Sequence, residues 1–341
     1  MATIKDIAKH TGVSPTTVSN VIHGRDNKVS PETKLKVKNA LEELNYAANM
    51  GARLLANHGS RIIGMIIQDT EAVTEDFFDN PYHGELIQAL ESKIKKAGYF
   101  MMFHRVSNFD EGAKLADMWN LEGLIVSGTS SNDILKWQER ISVPIVFLDS
   151  YATDKQTPFL NVGIDDRNGA YQMTKYLLQK GHERIAFTAK GTSSDTWRGV
   201  DFERSEGVRE AMEEAGLKAN FIAISPTYKN YKNFVSEILE PSIKEFTALF
   251  CSSDLLAVQI VSEFYKKGIL VPRDISIVSF DGTPYSKYAT PQITSMHQDV
   301  SEKAEQIIYL LLKGIDSKNN IIEKKEVKTN LVEGESVKTL R

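Results

Sequence analysis

The first 46 residues contain an ordered series of helix start and stop signals, and this series constrains the fold more than any other feature of the sequence. Thr3 followed by Asp6 resembles a capping box, in which a hydroxyl and an acid satisfy the free amides of a first helical turn. Gly12 provides the turn that ends this helix. Ser14 and Pro15 then begin a second helix, with serine as the N-cap and proline at a position that needs no N–H.

A third helix begins with the same signals at Ser30 and Pro31 and runs to about Leu44, while Gly24 ends the second helix. Apolar residues spaced three and four apart along these helices can form one small shared core. Two helices separated by a glycine turn are typical of the DNA-binding helix-turn-helix motif. On spacing alone, a chance helical hairpin is the alternative.

Charge is distributed unevenly along the chain. The 341 residues have a formal net charge of −4, and residues 1–60, with eight Lys or Arg and five Asp or Glu, carry +3. The other 281 residues therefore carry −7. A basic end on an acidic body is typical of a nucleic-acid-binding module joined to a domain of another kind, although this signal alone is weak.

Length and composition limit the class of protein. A chain of 341 residues is too long for one hydrophobic core, so two or three folding units are expected. The sequence has no apolar run of 18 residues, and its start lacks the residue order of a signal peptide. The single cysteine, Cys251, lies in an apolar segment and is expected to be a core thiol. We therefore expect a soluble, cytoplasmic protein with no membrane association.

From residue 62 onward, short apolar strands alternate with amphipathic helices. Nine strands are predicted, at 62–67, 99–103, 123–127, 145–148, 161–164, 184–188, 248–251, 275–280 and 294–297. Seven helices are predicted, at 82–97, 110–119, 166–180, 202–215, 231–246, 254–267 and 300–312. This alternation is typical of parallel sheets covered by helices on both faces. The predicted fold class is α/β, with an N-terminal all-α helix-turn-helix domain and two doubly wound parallel-sheet subdomains facing each other across a cleft.

The motifs of nucleotide and metal chemistry are missing from the sequence. Neither a glycine-rich dinucleotide fingerprint after residues 62–67 nor a P-loop lysine motif is present. The seven histidines are scattered without metal-ligand spacing, and no Ser/His/Asp set stands out. We therefore predict that the protein is not an enzyme and needs neither a cofactor nor a metal.

The residues themselves are more specific than their spacing. The run Thr3–Gly24, the segment Val29–Thr33 and the tripeptide Leu44–Tyr46 resemble the N-terminus of the lactose/galactose repressor (LacI/GalR) family almost position for position. The resemblance covers the whole chain. It implies a helix-turn-helix DNA-binding domain over 1–46, a hinge helix or linker over 47–60, and an effector-binding and dimerisation domain over 61–341. In this family the last domain resembles the periplasmic sugar-binding proteins, with two lobes between which the chain crosses more than once.

The resemblance implies that the second helix contacts the major groove, with Pro15, Thr16 and Asn20 facing base edges and nearby hydroxyls facing phosphates. A solvated polar face is the alternative for Thr16. Asn20 stands where the family most often has arginine, and asparagine prefers adenine, so the operator half-site is expected to differ from the common one. The predicted DNA-contact residues of this domain are Thr3, Ser14, Pro15, Thr16, Thr17, Ser19, Asn20 and His23.

The segment between residues 46 and 60 is predicted to be a short helix with Asn49 as its N-cap. The resemblance identifies it as a hinge helix that pairs with its dimer mate over the operator centre. Leu55 would then be the apolar wedge inserted into a minor-groove base step, with Ala52 and Arg53 near the groove walls. Without the resemblance, the segment is a packed linker turn.

Ligands of open α/β sheets bind outside the carboxyl ends of the strands. Those ends carry Asp69, Ser127, Asp149 and Asp254, and a carboxylate suits a hydroxyl-rich ligand because it accepts two adjacent O–H groups. Ordinary polar loop ends are the alternative for each residue. The family often has asparagine where Ser253 stands, which puts a contact there in doubt.

Three further residues complete the predicted effector site. The resemblance matches Arg204 to an arginine that reaches into the family's cleft and Asp281 to its partner carboxylate. Trp197 is a candidate for an aromatic face against a sugar ring.

These features predict a homodimeric repressor that binds a pseudo-palindromic DNA operator and responds to a sugar or sugar derivative. The sequence does not distinguish a dimer from a tetramer or an inducer from a co-repressor. A global regulator whose co-repressor is a phosphocarrier protein is an alternative within the same class. A secreted sugar receptor would need a signal peptide, and a sugar kinase or dehydrogenase would need the missing nucleotide motifs.

Overall fold

The computed structural model describes residues 2–22, 27, 29–46, 59–68, 77–151, 159–225, 235, 244–317 and 323–340. The chain divides into two compact units, with the boundary between Ser60 and Arg61. Within the described residues, no helix is both long enough and apolar enough to cross a membrane.

The first unit contains three helices, α1 (Ile4–Thr11), α2 (Pro15–Ile22) and α3 (Pro31–Glu43). The capping box predicted at the start of α1 is present: the Asp6 amide donates to Oγ1 of Thr3, and the Thr3 amide donates to Oδ2 of Asp6 over 2.8 Å. These two bonds satisfy amides that the first helical turn leaves free, so the sequence itself fixes where α1 begins.

One side chain from each helix forms the centre of the small core in this unit. Ile7, Val18 and Val37 are all fully buried and belong to one apolar cluster. Each such side chain contributes about 1.5–3 kcal/mol by leaving water. The Oγ of Ser30 accepts the Thr33 amide over 3.2 Å and caps α3, as the Ser-Pro signal predicts.

The second unit alternates strands and helices. Its strands are β1 (Ile62–Gln68), β2 (Phe100–Val106), β3 (Gly123–Ser127), β4 (Ile145–Leu148), β5 (Asn161–Ile164), β6 (Ile185–Lys190), β7 (Asn220–Ile224), β8 (Ala248–Cys251), β9 (Ser276–Asp281), β10 (Thr294–Gln298), β11 (Lys324–Val327) and β12 (Thr329–Val332). Its α-helices are α4 (Pro81–Lys96), α5 (Phe109–Met118), α6 (Ser131–Arg140), α7 (Asp166–Gln179), α8 (Gly199–Glu214), α9 (Asp254–Lys266), α10 (Pro284–Tyr288) and α11 (Val300–Ser317).

The strands form two sheets, each at the centre of one lobe. In the part of the chain that the structure describes, the first sheet has the order β11-β5-β4-β3-β1-β2, with every neighbouring pair parallel. The second has the order β12-β10-β9-β8-β6-β7 and is parallel except for the antiparallel β10–β12 pair at its edge. The predicted fold class is therefore confirmed, with one antiparallel edge strand that the sequence did not indicate.

Each sheet is covered by helices on both faces. Since successive strand residues point to opposite sides of a sheet, neighbouring residues of one strand pack against different helices. In β1, Ile63 and Met65 pack with α4 and α11, whereas Ile66 packs with α5 and α6. In β6, Phe187 packs with α7 and α8, whereas Ala186 packs with α9. Buried strands with apolar residues on both faces read in the sequence as continuous apolar runs.

The chain passes between the lobes three times. The strand β5 lies in the first sheet and the following helix α7 packs in the second lobe; β10 lies in the second sheet and the following helix α11 packs in the first lobe. Finally, β11 joins the first sheet and β12 joins the second. The lobes are thus connected by three short segments next to one another along the cleft.

Five elements were not predicted, namely α6, α10, β7, β11 and β12. The helix α6 consists mostly of polar residues, and its buried residues are Ile134 and Trp137. Its apolar periodicity is therefore weak. The strand β11 reads Lys-Lys-Glu-Val and lies at a sheet edge, where polar side chains are tolerated. The helix predicted over 231–246 falls almost entirely outside the described residues.

Candidate functional site

A cavity of about 300 Å³ lies between the two lobes, next to the crossing segments. Carboxyl ends of strands from both sheets meet there, as expected for ligand sites of open α/β sheets. From the first lobe, the described residues that line it include Phe77, Asn80, Tyr82, His83 and Asp149. From the second lobe they include Asp166, Lys190, Asp201, Arg204, Ser252, Asp281 and Gln298.

Arg204, on the first turns of α8, is the central cation of this cavity. Its side chain is buried, and its Nε donates to Oδ1 of Asp166 over 2.7 Å. Its Nη1 donates to the carbonyl of Ser252, and its Nη2 lies 3.4 Å from Oδ1 of Asp281. The guanidinium carbon lies 3.7 Å from the centre of the Phe280 ring, in cation–π contact. These four contacts fix both the position and the plane of the guanidinium group.

Both aspartates at the strand ends adopt backbone conformations that side chains rarely take. Asp281, the last residue of β9, has φ of 105°, and Asp149, which follows β4, has φ of 46°. Such positions cost of order 1–3 kcal/mol each and persist only where the surroundings hold them. Hydrogen bonds hold both residues here. The carboxylate of Asp281 accepts a hydrogen bond from Nε2 of Gln298 over 2.8 Å, and that of Asp149 accepts one from the Tyr82 hydroxyl over 3.0 Å.

A buried lysine lies behind the cavity wall. Lys303, on α11, is fully buried, and its ammonium group donates to both carboxylate oxygens of Asp149 over 3.0 and 2.9 Å. It also donates to Oε1 of Gln298 over 2.6 Å and to the Tyr82 hydroxyl over 3.1 Å. Because Gln298 donates in turn to Asp281, one continuous chain of hydrogen bonds joins the first lobe to the second.

Burial controls the proton affinity of this site. Burial raises the pKa of Asp166 and of Asp281, and the nearby charge of Arg204 opposes the rise in each. Burial also raises the pKa of Asp201 to about 6, again opposed by Arg204. For Arg204 itself, burial lowers the pKa, but the surrounding carboxylates outweigh burial and the pKa is raised overall. The guanidinium group is therefore always charged.

An aromatic surface closes the cavity on the side of the first lobe. The rings of Phe77 and His83 are stacked, with centres 3.9 Å apart and planes 6° from parallel. Nδ1 of His83 also lies 2.7 Å from the Phe77 carbonyl oxygen, which fixes the imidazole against the short 3-10 helix Phe77–Asp79. The cavity thus has apolar ring surface on one side and charged groups on the other.

The structure brings together three of the predicted effector residues, Asp149, Arg204 and Asp281. Ser127 ends β3 and is half-buried, but it is not among the described residues that line the cavity. Asp69 lies outside the described residues.

The structure contradicts the prediction for Asp254, which is fully buried and already bonded. Its carboxylate accepts the hydroxyls of Ser279, of Ser295 over 2.6 Å and of Thr283 over 2.8 Å, together with the Thr283 amide. A carboxylate with four donors of its own lobe has no free position for a ligand. Asp254 therefore joins β9, β10 and the start of α10 to one another.

The prediction for Trp197 is also wrong, because its ring is only 3% exposed. It makes edge-to-face contacts with Phe187 and Phe221, with ring centres 5.4 and 5.9 Å away. The ring is part of the core beneath β6 and β7, so it offers no surface to a sugar.

Several site residues escaped the sequence analysis. Asp166 directly follows a predicted strand, and the argument used for the other strand ends could have found it. Lys303 is a lone lysine on the apolar face of a predicted helix, between Val300 and Ile307, which is a signal for a buried charge. Tyr82 carries no sequence signal, since only the fold brings it to Asp149.

The predicted DNA-contact residues at the start of α2 are exposed to solvent. Ser14, Pro15 and Thr16 are exposed, whereas the fully buried Val18 faces the core. The Ser14 and Thr17 hydroxyls bond to each other over 2.9 Å, and Ser14 caps the helix by accepting the Thr17 amide.

Other predicted DNA contacts divide into two groups. Ser19 and Asn20 are half-buried, and the exposed Thr3 is engaged in the capping box with Asp6. The remaining five, His23, Asn49, Ala52, Arg53 and Leu55, lie outside the described residues.

Metal chemistry has no support in the described part of the chain. No group of three or more His, Cys, Asp or Glu residues there has the arrangement of a metal site.

Two family models match this chain. The model described as "Bacterial regulatory proteins, lacI family" matches residues 3–49, and the model described as "Periplasmic binding protein-like domain" matches residues 174–337. The first match covers the three helices of the first unit, and the second covers most of the second lobe.

Curated relatives align over the full length. An HTH-type transcriptional repressor PurR from Pasteurella multocida (strain Pm70) is 33% identical over 356 residues, covering 99% of this chain and 99% of the relative. The PurR of Histophilus somni (strain 129Pt) is 31% identical, and the alignment covers 100% of this chain and 100% of the relative.

Solved structures share the fold. The lac repressor dimer bound to operator and the anti-inducer ONPF aligns with a TM-score of 0.81 at 22% identity, over 99% of each chain. The complex of the transcriptional regulator CelR with cellobiose aligns with a TM-score of 0.68 at 22% identity, over 98% of this chain and all of the other.

Proposed function

Because this chain belongs to the lacI family of bacterial regulatory proteins, it is a DNA-binding transcriptional regulator under effector control, and we propose that its effector is a hydroxyl-rich small molecule of the sugar class, bound in the cavity around Arg204. The observation that carries this proposal is the cluster in which Asp166 and Asp281 hold the guanidinium group of Arg204 against the cavity.

The geometry suits a polyol. Fixed carboxylates accept pairs of hydroxyl hydrogen bonds, and a fixed guanidinium group donates to ring or hydroxyl oxygens. The stacked rings of Phe77 and His83 add an apolar surface of the kind that contacts the C–H face of a sugar. The CelR structure, which shares this fold, was solved with cellobiose.

The position of the cavity explains how an effector would act. A ligand that contacts Asp149 in the first lobe and Arg204 in the second has different affinities for different arrangements of the lobes. It therefore shifts the equilibrium between these arrangements, and only such unequal binding can regulate. We propose that this equilibrium is coupled to residues 47–60, which would form the hinge helices on DNA.

The DNA-bound state is proposed to be a homodimer on a pseudo-palindromic operator. The lac repressor structure that shares the fold is a dimer bound to operator. In each subunit, Thr16 and Asn20 of α2 would contact bases in the major groove, while Ser14 and the other hydroxyls would contact phosphates. The domain limits proposed from the sequence, 1–46, 47–60 and 61–341, assign DNA contact, hinge and effector binding to successive segments.

The test compares two arginines on the same helix. Full-length protein and the variants Arg204→Ala, Arg204→Lys and Arg209→Ala are screened against mono- and disaccharides by thermal shift, and hits are measured by calorimetry. Arg209 is exposed on α8 and pairs with Glu206, so its loss controls for a change of charge. We expect the Arg209→Ala protein to bind like wild type and both Arg204 variants to lose binding by a factor of about 100 or more.

The thermal denaturation midpoint measured without effector reports whether each variant is folded, since Arg204 and Arg209 lie in the second unit. Equal binding of the same sugar by wild-type and Arg204-substituted proteins would place the effector elsewhere and overturn the proposal.

A further inference from the structure

Asp201 lines the same cavity, and none of the described residues supplies a cation paired with it alone. It lies in the first turn of α8, three positions before Arg204, and it is partly buried. Among the described residues, no lysine or arginine lies within ion-pairing distance of its carboxylate; the ion pairs of Arg204 are with Asp166 and Asp281. A hydrogen bond with the side chain of Ser252 favours the ionised form of its carboxyl group and lowers its pKa.

The other carboxylates of the cavity are already paired. Asp166 and Asp281 share Arg204, and Asp149 is paired with the buried Lys303. Neither cation is free for a fourth carboxylate, since Arg204 also binds the Ser252 carbonyl and Lys303 also binds Gln298. In the described part of the chain, four carboxylates thus face the cavity around two buried cations.

Among the described residues that line the cavity, the remaining lysine or arginine is Lys190, and it does not alter this balance. Lys190 ends β6 and is exposed, so water and salt screen its ammonium group. A ligand that enters the cavity therefore meets the unpaired carboxylate of Asp201 in a partly desolvated site, where charges interact more strongly than in water. An anionic ligand, such as a phosphorylated sugar, is repelled by this carboxylate.

A neutral hydroxyl would satisfy the hydrogen bonds of Asp201 but leave its charge uncompensated. A protonated amine would satisfy both. Resting on the function proposed above, we propose that Asp201 is a specificity residue that selects an effector carrying a protonated amine beside its hydroxyl groups, as in an amino sugar or an aminopolyol.

The charge state of Asp201 agrees with this assignment. Burial raises its pKa to about 6, so the carboxylate is ionised at neutral pH and becomes protonated in mild acid. The charged groups that act on it are Arg204 on its own helix, Asp166 from α7 and Asp281 from β9. The same cavity is also lined by Lys190 from β6, Asp149 after β4 and His83 from α4. A bound amine is therefore expected to be held more weakly as the pH falls below about 6.

The experiment uses matched pairs of probes. Full-length protein is titrated calorimetrically with glucosamine and glucose, galactosamine and galactose, and mannosamine and mannose, at pH 7.5 and pH 5. The variants are Asp201→Asn, which keeps the shape of the side chain, and Asp195→Asn, an exposed control that does not line the cavity. We expect at least one amino sugar to bind about tenfold or more tightly than its parent at pH 7.5.

That preference is expected to disappear in the Asp201→Asn protein, to remain in the Asp195→Asn protein and to shrink at pH 5. If neutral sugars bind as well as amino sugars, or if Asp201→Asn leaves the preference unchanged, the amine inference is wrong while the sugar site around Arg204 stands. If none of the six probes binds, the amine inference is overturned, and the sugar-class effector is then decided by the screen of mono- and disaccharides against the Arg204 variants.

Discussion

The buried ammonium group of Lys303 lies 2.9 Å from Oδ2 of Asp149, a residue 154 positions away in the sequence. Lys303 is on α11, which follows the second crossing between the lobes, and Asp149 is at the end of β4. The pair therefore ties a crossing segment to the wall of the cavity. It helps to hold Asp149 in its unusual backbone conformation, and in the function proposed above this carboxylate would face the effector.

Replacing Lys303 by methionine should destabilise the protein strongly. Removal of one partner leaves the Asp149 charge in a desolvated place, which costs about 3–5 kcal/mol. Urea denaturation measures the loss in the free energy of unfolding. Lys313→Met, on the exposed side of the same helix, is the control and should cost less than about 0.5 kcal/mol. A loss below about 1 kcal/mol for Lys303→Met would mean that water or another group compensates Asp149.

Asp201→Asn should stabilise the protein at neutral pH but not in acid. The pKa of Asp201 is about 6 in the folded protein against an ordinary value of 3.8, so between these values the folded state binds more protons than the unfolded state. The Asp201 contribution to stability is then full below pH 3.8 and is lost as the pH rises to about 6. Because asparagine does not ionise, the Asp201→Asn protein keeps this stability as the pH rises.

We expect the Asp201→Asn protein to exceed wild type by on the order of 1–2 kcal/mol at pH 7.5 and to differ little at pH 4, as measured by urea denaturation. Asp166 and Asp281 titrate in both proteins, so their effects cancel in the difference. The exposed Asp195→Asn variant should follow wild type at both pH values. A gain of the same size at both pH values would show that the effect is not the charge of Asp201.

Gly207→Ala should separate α7 from α8. A Cβ atom at this position would lie 2.0 Å from the Arg167 carbonyl oxygen and 2.9 Å from the Tyr171 amide nitrogen, so the two helix backbones must move apart. Overpacking of this kind costs about 1–3 kcal/mol. Because α7 carries Asp166 and α8 carries Arg204, effector affinity should fall together with stability.

The control is Gly84→Ala in α4, where a Cβ would meet no atom within 4 Å. Alanine should there raise stability by about 0.5–1 kcal/mol through its greater helix propensity. Thermal denaturation and effector titration of both variants check the pair. Equal stability of the two variants would show that the helices tolerate the extra atom.

Operator binding should depend on salt and on Asn20. A dimer that neutralises several phosphates should give a log–log salt slope of several units, at about −0.9 for each phosphate. Asn20→Ala should cost about 1–3 kcal/mol on the operator and relax one base position in each half-site. Fluorescence anisotropy on operators selected from random DNA measures both. Asn39→Ala, exposed on α3, is the control. A slope near zero, or equal affinity for all sequences, would contradict a sequence-specific regulator.

The sequence predicted most of the fold, because its signals were local. Ser30 and Pro31 specify the start of α3, and the apolar run of β1 specifies a strand buried on both faces. The edge strand β12 was not predicted, because its pairing with β10 is decided by a register that joins residues more than 30 positions apart.

The site was only partly predictable for the same reason. Arg204 and Asp281 were found through family resemblance, and Asp149 through its place at a strand end. Asp254 also stands at a strand end, but the surrounding hydroxyls that satisfy it arrive from β9 and β10. Neither these donors nor the partner of Lys303 can be read from a local pattern, since folding alone brings them together.

The last crossing of the chain has a consequence for the order in which the protein is made. The helices of the first unit share a core supplied entirely by residues 4–46, so this unit can fold as soon as they leave the ribosome. Neither sheet of the second unit is complete until residues 324–332, which form one edge strand of each, have been synthesised. A nascent chain can therefore fold its first unit long before its second unit is complete. A ribosome that stalls late in synthesis would leave a folded DNA-binding unit attached to an incomplete effector-binding unit.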